Sequence, residues 1–255
     1  MAKRPEPGEQ DRRRQARAAQ QAAAARAQRR RTITQVAVIG GVAVVVIAIV
    51  ATAVVLGNRG RTPSATPSGS ATVTVAGQQV PLAITDTGVR LGPAGAKTTI
   101  DLWVDYSCPH CKEFEAENDQ VLGDAVAGGK VAVTYHNIQV HADYGTVAGD
   151  AAICVAQHDP AAWPAFNAAL YANATDATTG WEPRDFASFA AAHGAGDASQ
   201  RCITDGTYSG WVTANTAAGA KQGIDGTPTM LIDGQQTDTL SGQALTDRIN
   251  QLTSA

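Results

Sequence analysis

The stretch TTIDLWVDY, residues 98–106, runs through SCPHC, residues 107–111, straight into KEFEAENDQVLGDAVA, residues 112–127. The first segment is rich in β-branched and aromatic residues, which suit a half-buried pleated surface, and the last is a Pro-free helical stretch. The order is strand, CxxC, helix. A second strand is expected at VAVTYHNIQV, residues 131–140, giving a βαβ unit that favours a parallel sheet in an α/β fold. The CxxC then sits at a strand's carboxyl end, where such sheets place their reactive groups.

Toward the C-terminus, residues 144–223 are Ala-rich and read as an all-helical insertion. Helix starts are signalled at Asp159-Pro160, at Glu182-Pro183 and at Asp197, the last with Gln200 in capping-box spacing. Residues 229–232 form a short strand, Asp233-Gly234 is a hairpin-turn signal, and a further strand follows near residues 235–239. Ser241 is placed to cap a final helix carrying Leu245, Ile249 and Leu252 on one face. No internal repeat is present.

Toward the N-terminus, residues 72–97 read as a small β lead-in punctuated by Gly77, Gly88, Gly92 and Pro93. Residues 57–71, which include RGRTPSATPSGS, have the composition of a flexible tether, so the folded domain is expected over residues 72–255. Residues 36–56 are uncharged and dominated by Val, Ile and Ala, long enough as a helix to reach about 30 Å, one bilayer core.

The net charge of −3 conceals a segregation: residues 1–35 hold ten Lys/Arg against three Asp/Glu, the remainder ten against twenty. The basic tail ahead of the apolar run places residues 1–35 in the cytoplasm and the domain outside, anchored by one transmembrane helix. A cleaved signal ending at Ala51-Thr52-Ala53 is the rival reading, disfavoured because the apolar run continues past that site. The tail lacks aromatic residues or a recognition motif, so nucleic acid is not an expected partner.

Of the four cysteines, Cys108 and Cys111 form the CPHC, while Cys154 and Cys202 stand apart in the insertion. In an oxidising compartment two disulfides are the simplest assignment. Cys108, at a helix start, meets unpaired N–H groups and the positive end of the macrodipole, so its thiolate is favoured and it is expected as the exposed, reactive sulfur. Pro109 fits a first helical turn, and the His110 imidazole is expected beside the sulfurs, where its cation would add to that stabilisation. Half a zinc site has the same spacing, but no second CxxC completes it, so no metal or cofactor is expected. A Cys154–Cys202 bridge would be structural; a relay pair exchanging with the CPHC is the alternative.

The CPHC followed by Phe114 and Glu115, together with GIDGTPTMLIDG at residues 223–234, resembles the DsbA group of disulfide oxidoreductases. The resemblance covers roughly residues 85–253 and implies a thioredoxin fold with an inserted helical subdomain. It implies that Pro228 is a cis-proline which, with Thr227, contacts the redox sulfur and a bound substrate. The membrane anchor and second cysteine pair look like the actinobacterial branch, in which that pair is a structural disulfide. One position departs: where relatives carry a strand acid that moves protons to the buried thiol, this chain has Leu102. Strand alternation points Asp101 and Asp105 away from that face, which leaves Glu115 for the proton path or as a solvated helix residue.

The expected reaction is oxidation of reduced secreted or envelope proteins by the Cys108–Cys111 disulfide, in a monomer reoxidised by a membrane partner of the DsbB or vitamin K epoxide reductase-like type. A reductase or isomerase of the same fold is the alternative, and a thioredoxin-like metal carrier or interaction module is more distant. Phe114 and Trp103 are expected to pack beneath the motif, and His136 to be a structural residue on its strand.

Overall fold

The computed structural model describes residues 65–175 and 178–254. The basic tail and the expected membrane span, residues 36–56, lie outside them; among the described residues no helix is long and apolar enough to cross a membrane.

A seven-stranded sheet carries the architecture, in the order β1-β2-β3-β5-β4-β6-β7. The strands are β1 (Gly69–Val75), β2 (Gln78–Ile84), β3 (Val89–Leu91), β4 (Thr98–Val104), β5 (Val131–Asn137), β6 (Thr229–Ile232) and β7 (Gln235–Thr237). Only β4 and β5 pair in parallel, with Ile100 opposite Val133 and Leu102 opposite Tyr135, because they are the pair joined by a helical crossover. The sheet is therefore mixed rather than parallel. Its outer strands are joined by hairpins, as at Asp233-Gly234, where φ values of 51° and 76° supply the two left-handed residues of a primed turn.

That crossover is α1 (Pro109–Ala127); its buried residues Phe114, Leu122 and Val126 join Ile100, Leu102 and Val133 in the main core. The insertion follows as α2 (Asp143–His158), a 3-10 turn (Pro160–Ala162), α3 (Trp163–Asn173), α4 (Pro183–Ala192), α5 (Asp197–Thr204) and α6 (Ser209–Lys221). Residues Ala151 to Ala156 of α2 are all buried, consistent with a central helix that touches α3, α4, α5 and α6. A final helix, α7 (Gly242–Ser254), buries Leu245 and Ile249 against the main core.

Four local expectations are corrected. The structure is ordered ahead of residue 72: Pro67 is buried and β1 begins at Gly69 inside the supposed tether, where pairing with β2 outweighs a Ser/Thr/Pro-rich composition. The second strand stops at Asn137 because the N–H groups of Val140 and His141 turn aside to the Asp105 carboxylate. Asp197 is the first helical residue rather than the cap; the reciprocal capping box belongs to Glu182 and Asp185 at the start of α4. At α7 the first N–H, from Gly242, donates to Asn118 Oδ1 on α1 at 2.8 Å, so a neighbouring helix takes the part expected of Ser241.

Candidate functional site

Between β4 and α1 the chain turns through Asp105, Tyr106 and Ser107. Asp105 lies past the end of the strand, so alternation does not set its direction as it does for Asp101. Its buried carboxylate accepts from the Ser107 N–H and hydroxyl at 2.8 and 2.6 Å, and from the N–H groups of Val140 and His141 at 2.7 and 3.0 Å. One side chain thus holds the reactive turn against the loop that opens the insertion. Gly145 is required beneath it, since a Cβ there would overlap the carboxylate.

Cys108 occupies the N-cap of α1 with extended backbone (φ −81°, ψ 121°), Pro109 follows as the first helical residue, and His110 and Cys111 are next. This is the position from which a capping side chain accepts bonds from the second and third helical N–H groups. As a thiol Cys108 donates instead to the Thr227 carbonyl at 3.3 Å. As a thiolate it is favoured first by the Cys111 thiol, then by Thr227 and the N–H groups of Cys111 and His110, and its pKa falls to about 5 against the opposing effect of burial. Cys111 moves the opposite way, pushed far up by its hydrogen bond to Cys108 and by burial.

Three expectations change here. Cys108 is only 1 % exposed, enclosed by the Thr227-Pro228 segment, whose peptide bond is cis. The His110 side chain is 78 % exposed and pairs with Glu113 at 3.2 Å, so its help to the sulfur comes from its backbone N–H rather than its imidazole. Trp103 lies on the sheet face away from the main core, stacked on His136 with ring centroids 4.4 Å apart, in a small cluster with Ile138 and Ile224. Phe114 does pack in the main core. His136 is held by Asp101 at 3.1 Å and the Thr87 hydroxyl at 3.0 Å, a structural arrangement.

Glu115 is no solvated helix residue. It is 4 % exposed, accepts from Asn167 Nδ2 at 3.1 Å, and burial followed by the Asp119 carboxylate pushes its pKa up to about 8. Cys111, Glu115 and Asp119 follow one another at i, i+4 spacing, along one face of α1. Leu102 is fully buried in the core.

Asn167, Tyr106 and the Thr227 hydroxyl escaped the sequence reading. Tyr106 donates to Asn167 Oδ1 at 2.7 Å and packs on Tyr171, so a polar thread crosses an otherwise apolar wall beside Glu115. Asn167 was detectable as the polar residue within the apolar run WPAFNAALY. The Thr227 Oγ1 is buried with no hydrogen-bond partner, leaving it available to the sulfur of Cys108. Nothing in the sequence singles out its direction.

Cys154 in α2 and Cys202 in α5 form a disulfide with Cα atoms 5.7 Å apart. Both are buried, at 0 % and 6 % exposure. Among the described residues no group of three or more His, Cys, Asp and Glu side chains is arranged to hold a metal ion.

Residues 84–251 match a family model described as thioredoxin. The serine/threonine-protein kinase PknE of Mycobacterium tuberculosis (strain ATCC 25618 / H37Rv) is 33% identical over 150 residues, covering 54% of this chain; the match spans 26% of the kinase, about a quarter of its length. Among solved structures, the MdbA protein, a thiol-disulfide oxidoreductase from Corynebacterium diphtheriae, superposes with a TM-score of 0.58 at 26% identity, over 72% of this chain and 96% of that one. DsbA from Mycobacterium tuberculosis in its reduced form gives a TM-score of 0.58 at 21% identity, over 66% and 93%. The latter likeness is one of fold.

Proposed function

This chain belongs to the thioredoxin family, and from that premise we propose that it is a thiol:disulfide oxidoreductase acting as a dithiol oxidase outside the cytoplasmic membrane. The observation that carries the direction is the N-cap placement of Cys108, with a pKa lowered to about 5. A stabilised thiolate is a good leaving group, and stabilising the reduced form makes the disulfide the stronger oxidant.

In the reaction a substrate thiolate attacks Cys108 Sγ of the Cys108–Cys111 disulfide, and Cys111 leaves with the bonding pair. Cys111 must take a proton, since its thiolate is strongly disfavoured. Glu115, one helical turn along α1 and protonated near neutral pH, is the donor. The substrate's second thiolate then attacks the substrate sulfur of the mixed disulfide, and Cys108 departs as the thiolate. The substrate loses two electrons and two protons; one proton remains on Cys111 and the other passes to water. Thr227 and Pro228 border Cys108 where the substrate backbone would lie.

The substrates are reduced secreted or envelope proteins, and a quinone-linked membrane protein of the DsbB or vitamin K epoxide reductase-like type restores the disulfide. The apolar run at residues 36–56 and the basic residues before it support a single-pass anchor with the domain outside. A reductase would need a less stabilised thiolate, nearer the pKa of about 7 of thioredoxin. Equilibration against glutathione, with free Cys108 trapped by alkylation, tests the direction. A reduction potential between roughly −270 and −120 mV, the thioredoxin and DsbA values, is expected. A value at or below −270 mV would reverse the assigned electron flow.

A further inference from the structure

Beside Cys108 a groove of about 430 Å³ opens between the first turns of α1 and the insertion. That is within the usual range of roughly 300–1,000 Å³ for ligand pockets and holds more than one side chain. Cys108, Pro109 and Ala116 form one wall, and Ala142, Tyr144 and Ala174 the other; Thr227 and Pro228 lie outside it. The groove is therefore additional to the Thr227-Pro228 edge.

Its short side chains leave the space, and most of its polar groups are already engaged. The Tyr144 hydroxyl donates to the Leu170 carbonyl at 2.9 Å, which presents the ring rather than the oxygen to a guest. Lys112 Nζ donates to the carbonyls of Ala172 and Ala174, each at 3.0 Å, satisfying the carboxyl end of α3. Glu113 pairs with His110, and the Ser107 hydroxyl is spent on Asp105. Among the described lining residues, one cation and one anion leave no net charge with which to select, and few free donors or acceptors remain to satisfy a polar guest.

We propose that this groove is a second substrate subsite, which takes a large apolar side chain lying within two positions of the substrate's reacting cysteine. The proposal rests on the thiol:disulfide exchange assigned above. A substrate joined to Cys108 has its flanking residues at the groove mouth, because Cys108 itself lines the wall. Large apolar side chains beside cysteines are accessible in unfolded chains and mostly covered in folded ones. The groove thereby favours substrates that have not yet folded.

The test uses the oxidised full chain, with a small dithiol, dithiothreitol, run beside a set of dithiol peptides. The peptides carry Ser, Leu, Phe, Asp or Lys at each of the two positions on either side of the first cysteine. At one or more of those positions Leu or Phe should raise kcat/KM about 10-fold over Ser, with Asp and Lys giving no gain. Ala116→Phe and, from the opposite wall, Ala174→Phe should each bring the Leu-to-Ser ratio toward one. This ratio is read within a single variant, so a general loss of activity does not move it. Equal rates across the peptides, or an undiminished ratio in both variants, would overturn the groove while dithiothreitol still reacts. No reaction with dithiothreitol would sink the exchange reading and the groove with it.

Discussion

Two pairs of cysteines share this chain, and they differ in where their helices begin. Cys108 caps α1, where backbone N–H groups lack helical partners and a thiolate can use them. Cys154 and Cys202 sit within α2 and α5, whose backbone bonds are already made, and their sulfurs are buried among apolar residues. Reactivity therefore comes from the unsatisfied end of a helix, and permanence from the filled middle of two. A cysteine's identity contributes less than its position.

The sharpest way to break that contrast is to remove each pair in turn. Cys108→Ser should abolish exchange with any dithiol while leaving the melting temperature of the reduced domain nearly unchanged below pH 5, where the thiolate no longer adds to its stability. Replacing Cys154 and Cys202 together by Ala should do the reverse, preserving exchange but costing about 4 kcal/mol in chemical denaturation, from a bridge between residues 48 apart in sequence. A large loss of exchange in the second variant would assign the buried pair a relay role.

A smaller effect separates proton donation from stability at Glu115. Glu115→Gln removes the proton for Cys111 and should slow substrate oxidation about 100-fold at neutral pH, read by stopped-flow mixing with a dithiol peptide. The same variant should be more stable than the parent. The Glu115 pKa is raised in the fold from 4.5 to about 8, so the stability it allows is complete below pH 4.5 and declines as pH rises through 8. Gln escapes that decline, and the difference in unfolding free energy should grow across this window. Equal activity with equal stability would remove Glu115 from the proton path.

The smallest effect sharpens the comparison within the reactive pair itself. The Cys108 pKa is lowered, so the extra stability of the reduced form is full above the unfolded thiol value of 9.0 and is lost as pH falls through about 5. Thr227→Val, which removes the unpaired hydroxyl beside the sulfur, should move the alkylation midpoint of Cys108 upward by about one pH unit, on the scale of one hydrogen bond to a charged group. An unmoved midpoint would mean that Cys111 and the helix end suffice.

Much of this is legible in the sequence. β4, the CPHC, α1 and β5 follow from residue type and order, and the β6–β7 turn from Asp233-Gly234 alone. What could not be read is direction. Alternation along β4 does place Trp103 opposite Leu102, and applying it there would have put the indole on the far face. Asp105 lies one residue past the strand, where alternation lapses, and two of its four bonds come from groups distant in sequence, Val140 and His141. His110 was assigned by adjacency, but a residue at the second helical position points its side chain outward while its N–H faces the cap. Glu115 becomes buried only because the insertion closes over α1, a contact between segments about 50 residues apart that no local pattern encodes.

The bonds of Asp105 bear on how this protein can be recombined. A designer exchanging helical insertions between thioredoxin scaffolds would cut after β5 and before β6, treating the insertion as a cassette. Here the cassette is keyed to its socket: Asp105 belongs to the scaffold, while Val140, His141 and the space left by Gly145 belong to the insert. A graft that carries the helices without that carboxylate strands two backbone N–H groups, and one that adds a side chain at Gly145 displaces the turn bearing Cys108. The three travel as a unit, or the chimera loses the register of its reactive end.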